Sequence, residues 1–256
     1  MPPIYVWEDF HRRIRNKQTP QDNNAMHAKP DLCVVLKWVV ARSGSVIADV
    51  LWNRRTQQMN WQRIIERLHN ECGIEFSPGL NQDEIASAET TWHFRFPADL
   101  KQLLMAGLPT GKRFPNWRDP SSKRIKDSLA LPLDGILFDI EENGIWLDCW
   151  GSKPKSLADA KEIITKLVDD APNLIPIYGH RMMPDRPHDS GNPVFSIHQT
   201  DIVFYGRDLL DYLDHEFFLG AKDYSRGNAK PREIEFWDEE RFQKRWKAKP
   251  TTFGDN

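Results

Sequence analysis

The densest run of side chains able to do chemistry lies between His180 and Asn192, HRMMPDRPHDSGN. It supplies His180, Arg181, Asp185, Arg186, His188 and Asp189, with His198 and Asp201 close behind. Three histidines and three aspartates could build a metal centre for assisted hydrolysis. No two of them stand at the H-x-x-x-H or H-E-x-x-H spacing that puts two ligands on one helix face. Pro184 and Pro187 also suit a rigid, solvated turn. The competing reading is structural: the Arg181 guanidinium forks onto a carboxylate such as Asp201 and ties this loop to the segment after it. Asp185 and Asn192 then belong to the same structural polar loop, with Asn192-Pro193 setting the start of a strand.

Other catalytic patterns are missing from the chain. There is no G-x-S-x-G elbow, no Walker loop and no dinucleotide-binding glycine pattern. Cys33, Cys72 and Cys149 are odd in number and far apart, with no C-x-x-C pair. They support neither a disulfide framework nor a zinc ribbon, and a reducing cytoplasm suits them. Cys149 reads as a core thiol between Leu147 and Trp150. Trp117, Trp146 and Trp150 could stack on bases or a sugar, but few Lys or Arg interleave with them, so core packing is the better reading. No cofactor, no metal and no catalytic residue is assigned.

The elements around the loop are legible from periodicity. Leu174 to Tyr178 is an apolar strand ending at Gly179. Val194 to Ile197 and Ile202 to Tyr205 are β-branched and aromatic runs at hairpin spacing. Leu209, Leu210, Leu213 and Phe217 share one helix face. Upstream, Asn60 caps a helix with the stripe Trp61, Ile64, Ile65 and Leu68, stopped at Gly73. Asn81 and Glu84 form a capping-box arrangement ahead of Ile85, Ala88 and Trp92. Pro97 opens a helix carrying Leu100, Leu103 and Leu104, with Gly107 as a left-handed cap and Pro109 beyond. Gly135 to Trp150, GILFDIEENGIWLDCW, reads as a hairpin around Asn143-Gly144. Ser156 caps a helix with Leu157, Ala160, Ile163, Ile164 and Leu167 inward. Phe236 to Trp246 reads as a short helix capped by Asp238, with Phe242 and Trp246 as its stripe.

Helices first, then a meandering antiparallel sheet with one inserted helix, make an α+β pattern. Residues 1–58 differ: they are rich in Gln, Asn, Arg and Pro, with nine Lys/Arg against five Asp/Glu. They read as an extension, either a partly disordered arm or residues preceding a natural start at Met59. Residues 59–246 form the domain and 247–256 a disordered tail. From residue 59 onward, 26 basic side chains face 32 acidic ones. That balance argues against nucleic acid as a partner and for a basic protein. The longest apolar run, Leu32 to Val40, is far short of the roughly 20 residues a membrane-spanning helix needs, so no membrane partner is expected.

The words IPIYGHR, GNPVFSI and DIVFYG, in that order, resemble the SUKH superfamily in its Smi/Knr-like branch. Leu80, Glu84, Ile85, Glu89, Phe96, Pro97, Asp99 and Leu100 carry the other half of the likeness. The resemblance spans roughly residues 60–220 and implies a SUKH-like domain that binds proteins and performs no chemistry. It implies two roles. One is an immunity protein in the cytoplasm that occludes the active face of a cognate toxin, often a nuclease; the other is an intracellular scaffold or regulator. On this reading Asp139, Glu141 and Glu142 at the hairpin, and Asp211 and Asp214 on the polar side of the last family helix, are the candidate contacts. A metal-assisted hydrolase using the His180–Asp201 loop remains the alternative from another class.

Overall fold

The computed structural model describes residues 60–217, 230–237 and 242. All of them lie in one compact unit, Trp52–Asn256. The expectations for residues 1–58, for the Asp238 cap and Trp246, and for the 247–256 tail fall outside the described residues.

The fold is α+β. Three helices come first: α1 (Trp61–Cys72), α2 (Gln82–Trp92) and α3 (Ala98–Ala106). The strands β1 (Phe76–Pro78) and β2 (Gly107–Pro109) pair antiparallel between them. Local signals set the ends. Asn60 accepts the Arg63 N–H ahead of α1. Asn81 and Glu84 close a reciprocal capping box on α2. Glu84 also receives Arg118 Nε at 2.6 Å, while Arg118 Nη2 donates to the carbonyls of Pro78 and Gly79. One arginine therefore clamps the start of α2 to the end of β1. Pro97 is the cap of α3 rather than its first residue, and Gly107 is extended (φ −172°) rather than left-handed, because the chain passes straight from α3 into β2.

Residues 135–150 are not a hairpin. Lys123–Asn143 is one 21-residue helix, α4, followed by a 3₁₀ turn at Asp148–Trp150. Gly144 caps α4 with φ 63°, so the positive-φ tolerance read as a hairpin turn serves a helix end instead. Leu133, Ile136, Leu137 and Ile140 point to one apolar cluster, a helical spacing. Trp146 and Trp150 are buried in that cluster, but Cys149 on the 3₁₀ turn is exposed and is no core thiol. Then comes α5 (Leu157–Asp170), capped by Ser156.

The main sheet follows: β3 (Leu174–Tyr178), β4 (Arg181–Pro184), β5 (Val194–His198) and β6 (Asp201–Gly206), antiparallel in the order β3-β4-β5-β6. α6 (Leu209–Phe217) closes the described run. Strand β4 lies inside the segment read as a polar loop; its Met182 and Met183 are fully buried and pair with Phe195 and Ile175. The sheet is covered on both faces. Ile175, Ile177, Met183 and Val194 pack with α1, α2, α3 and α6. Leu174, Met182, Phe195, Ile197 and Ile202 pack with α4, α5, Trp237 and Phe242. Successive strand residues alternate between the two layers, as the period of two requires.

Candidate functional site

Because β4 runs through it, the His180–Asn192 segment is pulled apart. Arg181 pairs with Tyr178 at one end of the strand and Pro184 with Leu174 at the other. Asp185, Arg186, His188 and Asp189 follow Pro184; His180, Arg181, His198 and Asp201 gather at the opposite end. The eight side chains therefore do not converge. Among the described residues, no group of three or more His, Cys, Asp or Glu comes together as a metal site.

The Asp185 end is a buried polar joint. Asp185 N–H donates to the Asn173 carbonyl at 2.8 Å, and Asn173 Nδ2 donates back to the Asp185 carboxylate at 3.0 Å. His188 Nδ1 meets the Asp185 carbonyl at 2.8 Å, so that nitrogen carries the proton. Asn192 is wholly buried and donates to the carbonyls of Pro184 and Pro187; Arg232 donates to its Oδ1 at 2.6 Å. The segment is also pinned to α3. Ala98 N–H donates to the His188 carbonyl, and Gly191 N–H donates to Asp99 Oδ2 at 2.9 Å. Burial pushes the Asp99 carboxyl up to about 6; the Gly191 and Leu100 N–H groups oppose that and the nearby Asp208 adds to it. The contacts of Asp99 and Ala98 hold this loop against the start of α3, while Asp185 Oδ1 is buried without a hydrogen-bond partner among the described residues.

The Arg181 end has a different character. Arg181 does not fork onto Asp201. Its Nε donates to Glu216 on α6 at 2.9 Å, its Nη1 donates to Ser196 on β5 at 2.8 Å, and its guanidinium lies 3.6 Å from the centre of the Tyr205 ring. Asp201 is the cross-strand partner of His198 across the β5–β6 turn, whereas Arg181 is the partner of Ser196, two residues earlier on β5. Arg181 Nη1 also contacts His180 Nε2. A second arginine stands alongside: Arg113 lies 4.2 Å from the centre of the Tyr178 ring, and its backbone carbonyl accepts the Gly179 N–H at 2.8 Å. Burial pushes His180 down to about 4, helped by the charges of Arg181, Arg113 and His198.

The acidic contacts separate in the same way. Asp139 is buried, not displayed: it accepts the Thr200 N–H at 2.9 Å, the Thr200 hydroxyl, and Asn143 Nδ2 at 2.6 Å. Asp211 is buried as well, held by Arg207 Nη2 at 2.6 Å and by the Arg207 N–H. Burial raises the Asp211 carboxyl, but those hydrogen bonds outweigh it and hold it below the usual range. Glu141 and Glu142 are exposed, with Glu141 paired to Lys161 at 2.7 Å. Asp214 is half-buried.

Reading 135–150 as strand placed Asp139 outside; as helix, the same residues exchange sides. Phe138 is then 48% exposed and Leu131 39% exposed, seven residues apart on the outer face of α4. Asp127, Asp134, Glu141 and Glu142 surround them on that face, all exposed. This acid-framed apolar stripe was missed in sequence, although helical spacing of 131, 134, 138 and 142 would have found it.

No protein-family model, no curated protein and no solved structure matches this chain.

Proposed function

We propose that this chain is a protein-binding module: an immunity protein that sits in the cytoplasm and neutralises a cognate toxin by covering its active face. The observation that carries the reading is the outer face of α4. A helix that buries Ile125, Ile136 and Ile140 on one side has no packing reason to display Phe138 and Leu131 on the other. Exposed aromatic and aliphatic anchors inside a polar rim are the anatomy of a binding surface. The rim carries four carboxylates, two of them paired with Lys123 and Lys161, and the excess of acidic side chains from residue 59 onward suits a basic partner. Toxins that cut nucleic acid must attract phosphate, so their active faces are positive. The Smi/Knr-like resemblance supplies the biological role.

The test is to mix the protein with the toxin domain encoded beside it. Association should slow steeply between about 50 and 500 mM salt, which shortens the screening length from roughly 14 to 4 Å. Phe138→Ala should speed dissociation at both salt concentrations. A rate indifferent to salt refutes electrostatic steering. No binding to any neighbouring gene product refutes the immunity role and leaves the scaffold or regulator role in its place.

A further inference from the structure

The Arg181 end of the sheet holds a feature that the α4 surface does not use. Of its two stacked arginines, only Arg181 has a carboxylate partner, Glu216. Arg113 makes no ion pair among the described residues, yet it is held in place. Its carbonyl accepts the Gly179 N–H, its guanidinium stacks on Tyr178, and its Nη2 would lie 3.0 Å from any Cβ at position 179. Glycine at that turn leaves the space the guanidinium occupies. An exposed arginine fixed by its own backbone and an aromatic ring has already lost much of the freedom that ligand binding would cost it.

The neighbouring imidazole is set as a donor. Arg181 Nη1 can only donate, so His180 Nε2 must accept. The neutral ring then carries its proton on Nδ1. With Arg181 engaged by Glu216 and Ser196, the unbalanced charge at this turn is that of Arg113. The positive potential is felt locally, since the charges of Arg181, Arg113 and His198 all disfavour protonation of His180.

We propose that Arg113, packed against Gly179, and His180, the next residue, form a binding site for a small oxyanion, a phosphate or a carboxylate. A planar guanidinium meets either group with two parallel N–H bonds, and an imidazole N–H adds a third donor. The site is independent of the α4 surface and does not rest on the toxin-binding reading.

The test is an NMR titration of the intact chain with inorganic phosphate, with acetate and with chloride, at constant ionic strength. Saturable shifts are expected at the Gly179 amide, the Arg113 Nε–H and the His180 ring, with a Kd of about 1–10 mM. Arg113→Gln should weaken binding at least about tenfold with the fold retained, and Arg113→Lys, which keeps charge but loses the fork, should fall between. Saturation by phosphate alone assigns a phosphate-bearing ligand; saturation by acetate alone assigns a carboxylate; saturation by both assigns the shared oxyanion chemistry. Shifts that never saturate, or that chloride reproduces, overturn the proposal. So does saturable binding that is unchanged in both Arg113 variants.

Discussion

Asp139, in the last turns of α4, receives both the backbone N–H and the hydroxyl of Thr200, in the turn between β5 and β6. One turn earlier on the helix, a Cβ at Gly135 would lie 2.7 Å from the Gln199 Cα. The hairpin tip therefore rests directly on the helix backbone, and the aspartate locks it there.

Asp139→Ala should cost about 2–3 kcal/mol, because it leaves a buried N–H and a buried hydroxyl without their acceptor. For a protein of this size that lowers the melting midpoint by about 4–12 °C. Gly135→Ala should destabilise by a separate route, through backbone overlap. A midpoint unchanged in Asp139→Ala would show that the helix and the hairpin tip do not depend on each other.

Arg181 and Glu216 are both about nine-tenths buried, at 10% and 12% side-chain exposure. A double-mutant cycle between Arg181→Ala and Glu216→Ala should give a coupling of about 1–3 kcal/mol. The same cycle with Asp201→Ala in place of Glu216→Ala should give a coupling near zero. Equal couplings in the two cycles would contradict the geometry.

Two groups titrate against each other in mild acid. Asp99 has a folded pKa of about 6, above its ordinary 3.8, so its contribution is complete below about 3.8 and is lost as pH rises through about 6. His180 has a folded pKa of about 4, below its ordinary 6.5, so its contribution is complete above about 6.5 and is lost as pH falls through about 4. Urea unfolding at several pH values between these limits should show opposite trends in two variants. The cost of Asp99→Asn should shrink toward neutral pH, and the cost of His180→Gln should shrink toward acid. Variant curves parallel to that of the unaltered protein would rule out both shifts.

Phe138→Ser should leave stability within about 0.5 kcal/mol, as expected for an exposed site touching no core residue. A large loss of stability in urea unfolding would mean that the α4 face is covered within the chain and is not a surface for partners.

Much of the fold could be read from residues whose local chemistry admits one outcome. Asn60, Asn81 with Glu84, and Ser156 cap helices where polar side chains precede apolar stripes. The β5–β6 hairpin follows from alternation on both sides of His198 to Asp201. Helix α4 was hidden because Pro132 lies inside it and Gly135 and Gly144 bracket its last turns. Proline and glycine ordinarily mark breaks; here Gly135 answers a close backbone approach from a turn about 65 residues away, which no local window contains. The Arg181 site was half visible. Arg181 and His180 stand in one word, but Arg113 and Glu216 arrive from other elements, and a guanidinium lying on a tyrosine ring leaves no spacing signature. The two misplaced carboxylates, Asp139 and Asp211, failed for one reason: a charge in a sequence carries no record of whether a donor waits for it in the folded chain.

The main sheet lies between two helical layers, so its strands hold the molecule together without presenting a face to the outside. Among the described residues, the large apolar side chains left exposed, Leu131 and Phe138, lie on a helix and not on the sheet. The outer residues of α4 can therefore be exchanged without disturbing Met182, Phe195 and Ile202, which are wholly buried beneath it.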